Sequence, residues 1–577
     1  MSFSAEIRAD FIEAKSPSQF SLVFSVLLAG LATASPTFGQ SASATIASQS
    51  ASIHVRMSSD SPVIATLQQS APVAVQFSFS GRSGCWLEVK WSGGKDQTGY
   101  VPCQDVRQVA AANQAPKSSA VAPSNPVDVR KAPTETIAKG SPATPGTIAL
   151  THIRVIDGTG SPSKDDQTIL IARGRIREIG NSSSVGLTGV AQTLDLRGYT
   201  ALPGFVGMHE HLFYTMPTDA SDREMLATFP KLYLASGVTT IRTAGNLNLR
   251  AELGYKQQID QGKEIGPHVY LSGYVDADPS LPENPGGLAR AAERMIAAGI
   301  RSIKIYNFAR RSELAAIIQV AHQHGATVTG HLCATGFTEA AEAGIDNLEH
   351  GLIVDTEFFS GKQPGDCPDW TAVVSELVQM DVRGPQIRAL IQRLVQRHVA
   401  ITSTLAVFET LASNRIPQLD PRTVSMLAPE IQAAYLEKKT ERLRSGDRLW
   451  GAMLKKEMEF ERAFAAAGGL LMAGVDPTGW GGVIAGYGDQ RELELLVETG
   501  FSPEQAIQIA TYNGAYFLGL ADRLGTLSAG KNADITVIRG NPDADIRDIR
   551  QTQLVFKDGV AYNSGEILQA VEGQVGR

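Results

Sequence analysis

Beyond residue 40, no stretch of this chain carries the roughly 20 uninterrupted apolar residues of a membrane helix, which argues against a spanning segment in the mature protein. Basic residues are not gathered either. Lys and Arg number 52 against 59 Asp and Glu, a net charge of −7, and no Lys/Arg cluster tracks along one face. That balance argues against nucleic acid as a partner. Cysteine is scarce: the four residues fall into two local pairs, Cys85 with Cys103 and Cys333 with Cys367, neither with zinc-ribbon spacing. An oxidising compartment would permit both bridges, and spacing leaves open whether Cys333 and Cys367 are bonded or free. What remains is ordinary for a globular protein, 43% hydrophobic and 19% charged, and 577 residues suffice for more than one domain.

At the front, Lys15 precedes the apolar run Phe20 to Ala34, which ends in small residues as a cleaved export signal does, although Glu6, Asp10 and Glu13 lend the region an acidic flavour. Residues 1–40 are read as signal peptide and extension, and the mature chain as exported, periplasmic or secreted. Over residues 41–110 short apolar runs alternate with Ser/Gly/Asp turns, the pattern of a small antiparallel β barrel. The stretches IHVRMSSDSPVIATL, CWLEVKW and TGYVP resemble a bacterial SH3-like domain, and the resemblance implies a cell-wall or protein ligand. Residues 111–146, rich in Ala, Pro, Ser and Thr, form a flexible linker.

Strand patterns fill residues 147–203 (TIALTHIRVID, QTILIARGRIREIG, AQTLDLRGYTALPG) and return over 523–577 (NADITVIRG, QLVFKDGVAYNSG). Between them, over 204–522, short apolar strands alternate with helical stretches: VTTIRTAG, HVYLSG, SIKIYN, TVTGHL, NLEHGL, AITSTLAVF and LLMAGVD. Such alternation signals a parallel sheet. Its length suits an α/β fold of the (β/α)8 TIM-barrel kind, with catalytic groups at the C-terminal strand ends. The charged, helix-patterned stretch Pro421 to Ala467 reads as an insertion or elongated helix around the seventh unit, a candidate lid.

Where the first barrel strand should end, LPGFVGMHEHLFY places His209 and His211 two residues apart, so both imidazoles share one face of a strand while Glu210 points away. Two such histidines alone are weak evidence of metal. His331 in TVTGHL, His350 in NLEHG and Asp476 in LLMAGVD then appear at the ends of later strands. Four imidazoles and a carboxylate converging from different elements are a donor set that a divalent metal such as zinc accepts. Lys304, between isoleucines in SIKIYN, should face inward, where an ammonium is costly unless paired.

With ALPGFVGMHEHL, GVTTIRTAG, IRSIKIYN, GHLCATG, GIDNLEHG, AGVDPTG and TYNGAYFLGLADRLGTLSAGKNADITVI, the chain from about Thr147 onward resembles the amidohydrolase superfamily, in particular its imidazolonepropionase-like and Xaa-Pro dipeptidase-like branch. The resemblance implies that the two β-rich flanks form one composite β-sandwich. It also implies two divalent metal ions, with zinc expected: His209, His211 and Asp476 around one, His331 and His350 around the other, and a carboxylated Lys304 bridging them. The sequence departs from the family at GVTTIRTAG, where Thr243 follows Arg242 in place of the usual Asp, which puts the support around the second strand in doubt.

A site of that kind supplies hydroxide bridging two metals at neutral pH, with Asp476 as the proton carrier. Tyr306, on the face of Lys304, can hydrogen-bond an oxyanion or merely pack. His268, opening the strand in GPHVYLSG, can contact substrate or serve structure. The expected activity is hydrolysis of an amide C–N bond in a small peptide or N-acyl amino acid. A lactonase, esterase or deaminase on the same scaffold is the alternative, since fold and ligands do not fix the substrate. A further alternative is a non-catalytic exported cell-wall-binding protein. Specificity is assigned to the loops 276–287 and 355–370, and a homo-oligomer remains open.

Overall fold

The computed structural model describes residues 42–54, 63–81, 84–91, 97–108, 146–415 and 420–577. The export-signal run, nearly all of the linker and the side chains of Cys85 and Cys103 lie outside what is described. Two units divide the chain, Asp10–Asp128 and Val129–Arg577. In the first, strands Ala42–Ile46, Ser50–His54, Val63–Gln68, Pro72–Gly81, Gly84–Trp91, Gln97–Pro102 and Val106–Gln108 make one seven-stranded sheet with antiparallel pairings.

The second unit opens in an eight-stranded sheet built from two distant stretches of sequence. Five strands between Thr147 and Pro203 are joined by Ile535–Arg539, Thr552–Lys557 and Val560–Asn563. The seam is the antiparallel pair Tyr199–Pro203 with Ile535–Arg539, Thr200 opposite Ile538. Alternating β-branched and aromatic residues bury one face, with Ile153, Ile169, Val537 and Phe556 at its core. Each such side chain removed from water stabilises by roughly 1.5–3 kcal/mol, so the two ends of the chain are held together by packing as well as by the ladder.

Within that frame run eight parallel strands: Phe205–Glu210, Val238–Thr243, a third in two pieces (His268–Tyr270 and Ser272–Val275), Ser302–Ile305, Thr327–Gly330, Asn347–Glu349, Ala400–Ser403 and Leu471–Ala473. Helices separate most of them, as an α/β architecture of TIM-barrel type requires. The ladder is not continuous. It breaks inside the third strand, leaving sheets of three and six strands, and no ladder among the described residues joins the eighth strand to the first. The backbone bridges that second gap just past the eighth strand, where the amides of Val475 and Asp476 donate to the His209 carbonyl at 3.2 and 2.9 Å.

Surrounding helices follow from their sequences. Pro385–Gln396 starts with proline in its first turn and buries Ile387, Leu390, Ile391 and Leu394, one stripe of a 3.6-residue period. The stretch read as an insertion or elongated helix over Pro421–Ala467 is three helices, Pro421–Met426, Pro429–Ser445 and Leu449–Ala466. Prolines begin the first two, and Gly446, at φ 65°, ends the second in the left-handed conformation that suits glycine. The third buries Met453, Leu454, Phe460 and Phe464 in the main core, so it belongs to the layer around the sheet rather than to a lid. A disulfide joins Cys333 to Cys367 and ties the 355–370 loop to the exit of the fifth strand. Among the described residues, no helix is long and apolar enough to cross a membrane.

Candidate metal centre

Strand direction decides what meets at the site. His209 lies at the end of the first parallel strand, His211 just past it, Lys304 near the end of the fourth, and His331 and His350 one residue beyond the fifth and sixth. Asp476 follows the eighth. Gly474 makes its approach possible: a Cβ there would stand 2.4 Å from the His209 nitrogen.

The six residues come together at one end of the sheet. His211 Nε2 stands 3.0 Å from Asp476 Oδ1, His209 Nε2 3.6 Å from the same oxygen, and His350 Nε2 3.8 Å from Oδ2. Ring centroids are 4.6 Å apart for His209 and His350, and 4.5 Å for His331 and His350. His350 and Asp476 hold φ of 70° and 49°, a left-handed conformation unfavourable for non-glycine residues that the surrounding fold must impose.

Burial sets the protonation. Loss of water, with the Lys304 charge adding to it, pushes His209 down to about 4 and His331 to about 3. Burial with His331 and His209 nearby puts His350 well below its usual value. These imidazoles are therefore neutral at neutral pH, with lone pairs free to donate. Burial alone would raise the Asp476 carboxyl, but His209 and His211 hold it well below the usual carboxylate range. Lys304, 2% exposed, is brought down to about 8 by burial, opposed by the fields of Glu349 and Asp476.

Behind this cluster lies a group that sequence reasoning did not assign. His209 Nδ1 donates to Glu349 Oε2 at 2.8 Å, which turns Nε2 toward Asp476. Glu349 in turn accepts from Arg242 at 2.6 Å and from the Thr329 hydroxyl. Arg242, fully buried, also donates to Asn347 Oδ1 at 2.7 Å and to the Met208 carbonyl. Burial would raise the Glu349 carboxyl, but Arg242, His209 and Lys304 keep it well below its ordinary range, hence ionised. A histidine ligand characteristically hands its second N–H to such a carboxylate. The doubt attached to Arg242-Thr243 is resolved here: Arg242 anchors Glu349, while Thr243 Oγ1 accepts from the Ser272 amide at 2.9 Å.

Tyr306 sits beside the cluster, its ring 4.7 Å from that of His331. His268 does not join it. It opens the third strand, at the opposite end from the cluster, where Nε2 lies 3.3 Å from Asp558 and 3.6 Å from Asp534. Of the two roles left open for it, substrate contact and structure, this position agrees with the structural one, since only the far ends of these strands converge on Asp476. Glu210 points outward toward Tyr233 and Asp489, and burial with Asp489 nearby raises its carboxyl well above the usual range.

The residues fit a divalent cation on their own chemistry. Two ring nitrogens, His211 Nδ1 and His350 Nε2, are buried without a hydrogen-bond partner among the described residues. The donor atoms of His209, His211 and Asp476 all lie within 4.8 Å of one another.

The sequence pattern of the amidohydrolase family matches residues 200–561, well over half of the chain and every one of these candidates. The chain belongs to the amidohydrolase family. As an amidohydrolase it is similar in structure to a candidate prolidase from Bifidobacterium longum, at 25% identity over 74% of this chain and 99% of that one, TM-score 0.51. It shares the fold of a Xaa-Pro dipeptidase with bound methionine, at 22% identity over 72% of this chain and 100% of the other, TM-score 0.54. Among curated proteins, adenine deaminase 4 of Rhizobium meliloti (strain 1021) is 34% identical over 76 residues, 13% of this chain and 12% of that protein. The chain thus spans about an eighth of the length of the curated relatives it matches.

Proposed function

We propose that the protein is an exported, metal-dependent amidohydrolase that cleaves the C–N bond of a small peptide or an N-acyl amino acid. The observation that carries this reading is the gathering of His211 and the neutral His209, His331 and His350 around the ionised Asp476, with Glu349 orienting His209 from behind. In this reading His209, His211 and Asp476 hold one divalent ion and His331 and His350 a second, zinc being the expected metal. Bound there, the ions would supply a water acidic enough to ionise near neutral pH and a Lewis acid for the substrate carbonyl.

The chain's own residues do the rest. Asp476 takes the proton of the attacking water and passes it to the leaving amine, a role its place among the imidazoles suits. Tyr306, whose ring adjoins His331, orients the carbonyl oxygen. Lys304 is the residue to be carboxylated: burial lowers the cost of its neutral amine, which would add to carbon dioxide with loss of a proton to give a carbamate, an anion able to act as a metal ligand in place of a buried cation.

Export is supported by the Phe20 to Ala34 run together with the Cys333–Cys367 bridge, because structural disulfides persist in oxidising compartments. The seven-stranded antiparallel front unit supports an SH3-like module that holds a cell-wall peptide or another protein. A second reading, a deaminase, is favoured by the stretch shared with adenine deaminases. Both are tested by one panel: dipeptides including Xaa-Pro, N-acyl amino acids, adenine and lactones, assayed with added zinc or manganese. Release of free amine from a peptide or N-acyl amino acid is expected. Ammonia from adenine alone would favour the second reading, and activity confined to lactones would overturn both.

A further inference from the structure

A second concave site lies apart from the metal centre, between helix Pro429–Ser445, the stretch that follows the eighth parallel strand and the helical turn Ile546–Arg550. It is a cavity of about 330 Å³, and none of the six metal-ligand candidates lines it. In a protein of net charge −7 its wall is basic, with seven Arg and Lys residues against the three carboxylates of Glu409, Asp420 and Glu494. Those carboxylates are already engaged. Glu409 accepts from Arg415 at 2.8 Å and Arg491 at 2.7 Å, Glu494 from Arg491 at 2.7 Å and Arg550 at 2.5 Å, and Asp420 from Arg422 at 2.6 Å.

Lys439 is left over. Among the described residues its ammonium has neither a hydrogen bond nor an ion pair within 4 Å, although burial brings it down to about 8 against the fields of Glu409 and Asp420. An ammonium withdrawn from water without a partner costs stability, and proteins retain such groups where a ligand supplies the missing charge. Arg442 stands three residues further along the same helix, on the same face. Tyr435, one turn before Lys439 on the same helix, and Trp480 give the cavity aromatic walls, their ring centroids 5.5 Å apart. Cationic groups converging beside aromatic faces in a pocket of this size are complementary to a small organic anion.

We propose that this cavity is a second ligand site, separate from the metal centre, which takes a small organic oxyanion (a carboxylate or a phosphate) on Lys439 and Arg442 and packs its body against Tyr435 and Trp480. The stretch from Asp476 to Ile484 contributes both a metal-ligand candidate and part of this wall, so occupancy of the cavity bears on the loop that carries Asp476.

Isothermal titration of the full chain at low ionic strength with inorganic phosphate, succinate and benzoate tests this, run on chelator-stripped and metal-loaded protein. The expected result is one saturable site for at least one of these anions, present in both forms, and weakened tenfold or more in Lys439→Met or Arg442→Gln with circular dichroism unchanged. Which anion binds separates the phosphate from the carboxylate source. Absence of saturable binding by all three overturns the proposal. So does binding that disappears with the metal, or binding that both variants retain at full strength.

Discussion

Two clusters of one histidine type and one acid type stand at opposite ends of the parallel strands. At the C-terminal ends are His209, His211 and Asp476; at the start of the third strand His268 meets Asp534 and Asp558. Both bring donor atoms within 4.8 Å of one another. What differs is the surroundings. The first cluster is buried and backed by Glu349, itself fixed by Arg242 and Thr329. In the second, the Asp558 side chain is 50% exposed, and its carboxylate accepts from Asn532 at 3.0 Å. Asp534 accepts from the Asp558 amide at 2.7 Å, so the acids there are tied into the backbone of the composite sheet. Donor spacing alone does not make a metal centre. A desolvated cluster whose rings are oriented from behind does.

The contrast is broken most severely at Asp476. Asp476→Asn keeps the shape but removes the carboxylate that three imidazoles surround, and is expected to lower amide hydrolysis on the order of 10³-fold or more, read as kcat/KM on the best substrate of the panel. Glu349→Gln tests the support. It leaves Arg242 buried without its counter-charge and is expected to weaken metal binding about 10- to 100-fold, with roughly 3–5 kcal/mol lost in denaturant unfolding. An unchanged metal affinity would remove the distinction drawn between the two clusters.

Glu252 sharpens the point from the opposite direction. It too is a buried carboxylate, but burial with Glu224 nearby raises it from 4.5 to about 8. Below about pH 4.5 folded and unfolded chains both hold the proton and its contribution is complete. As pH rises toward 8 the unfolded chain ionises first, so stability falls. Glu252→Gln should abolish that slope and stabilise at pH 8 by on the order of 4 kcal/mol relative to its effect at pH 4, measured by unfolding at both pH values. The smallest effect is expected at the other cluster. His268→Ala should cost under about 1 kcal/mol and leave the bound-metal count and kcat unchanged.

Much of the centre was legible in the sequence because each residue obeys a local rule. His209 and His211 alternate on a strand, Lys304 interrupts an apolar strand, and His331, His350 and Asp476 follow strand-like runs. The strand–helix alternation and the β-rich flanks were legible for the same reason. Glu349 was not, although it precedes His350: its meaning depends on Arg242, 107 residues earlier, and nothing local pairs them. For His268, which opens its strand, the sequence left substrate contact and a structural role both open, and its contacts with Asp534 and Asp558 agree with the structural one. Of the two readings of Pro421–Ala467, the elongated helix is excluded where Gly446 and the prolines divide a continuous charge pattern, and the basic cavity beside helix Pro429–Ser445 is a product of tertiary assembly.

The central claim is that hydrolysis depends on metal held by the cluster around Asp476. Its most direct test adds zinc or manganese back to chelator-stripped protein while amide hydrolysis and metal bound per chain are measured on the same samples. Activity should rise from near zero and saturate at about two equivalents per chain, with none recovered in His209→Ala. Full activity in the stripped protein, or equal recovery in His209→Ala, would contradict the account.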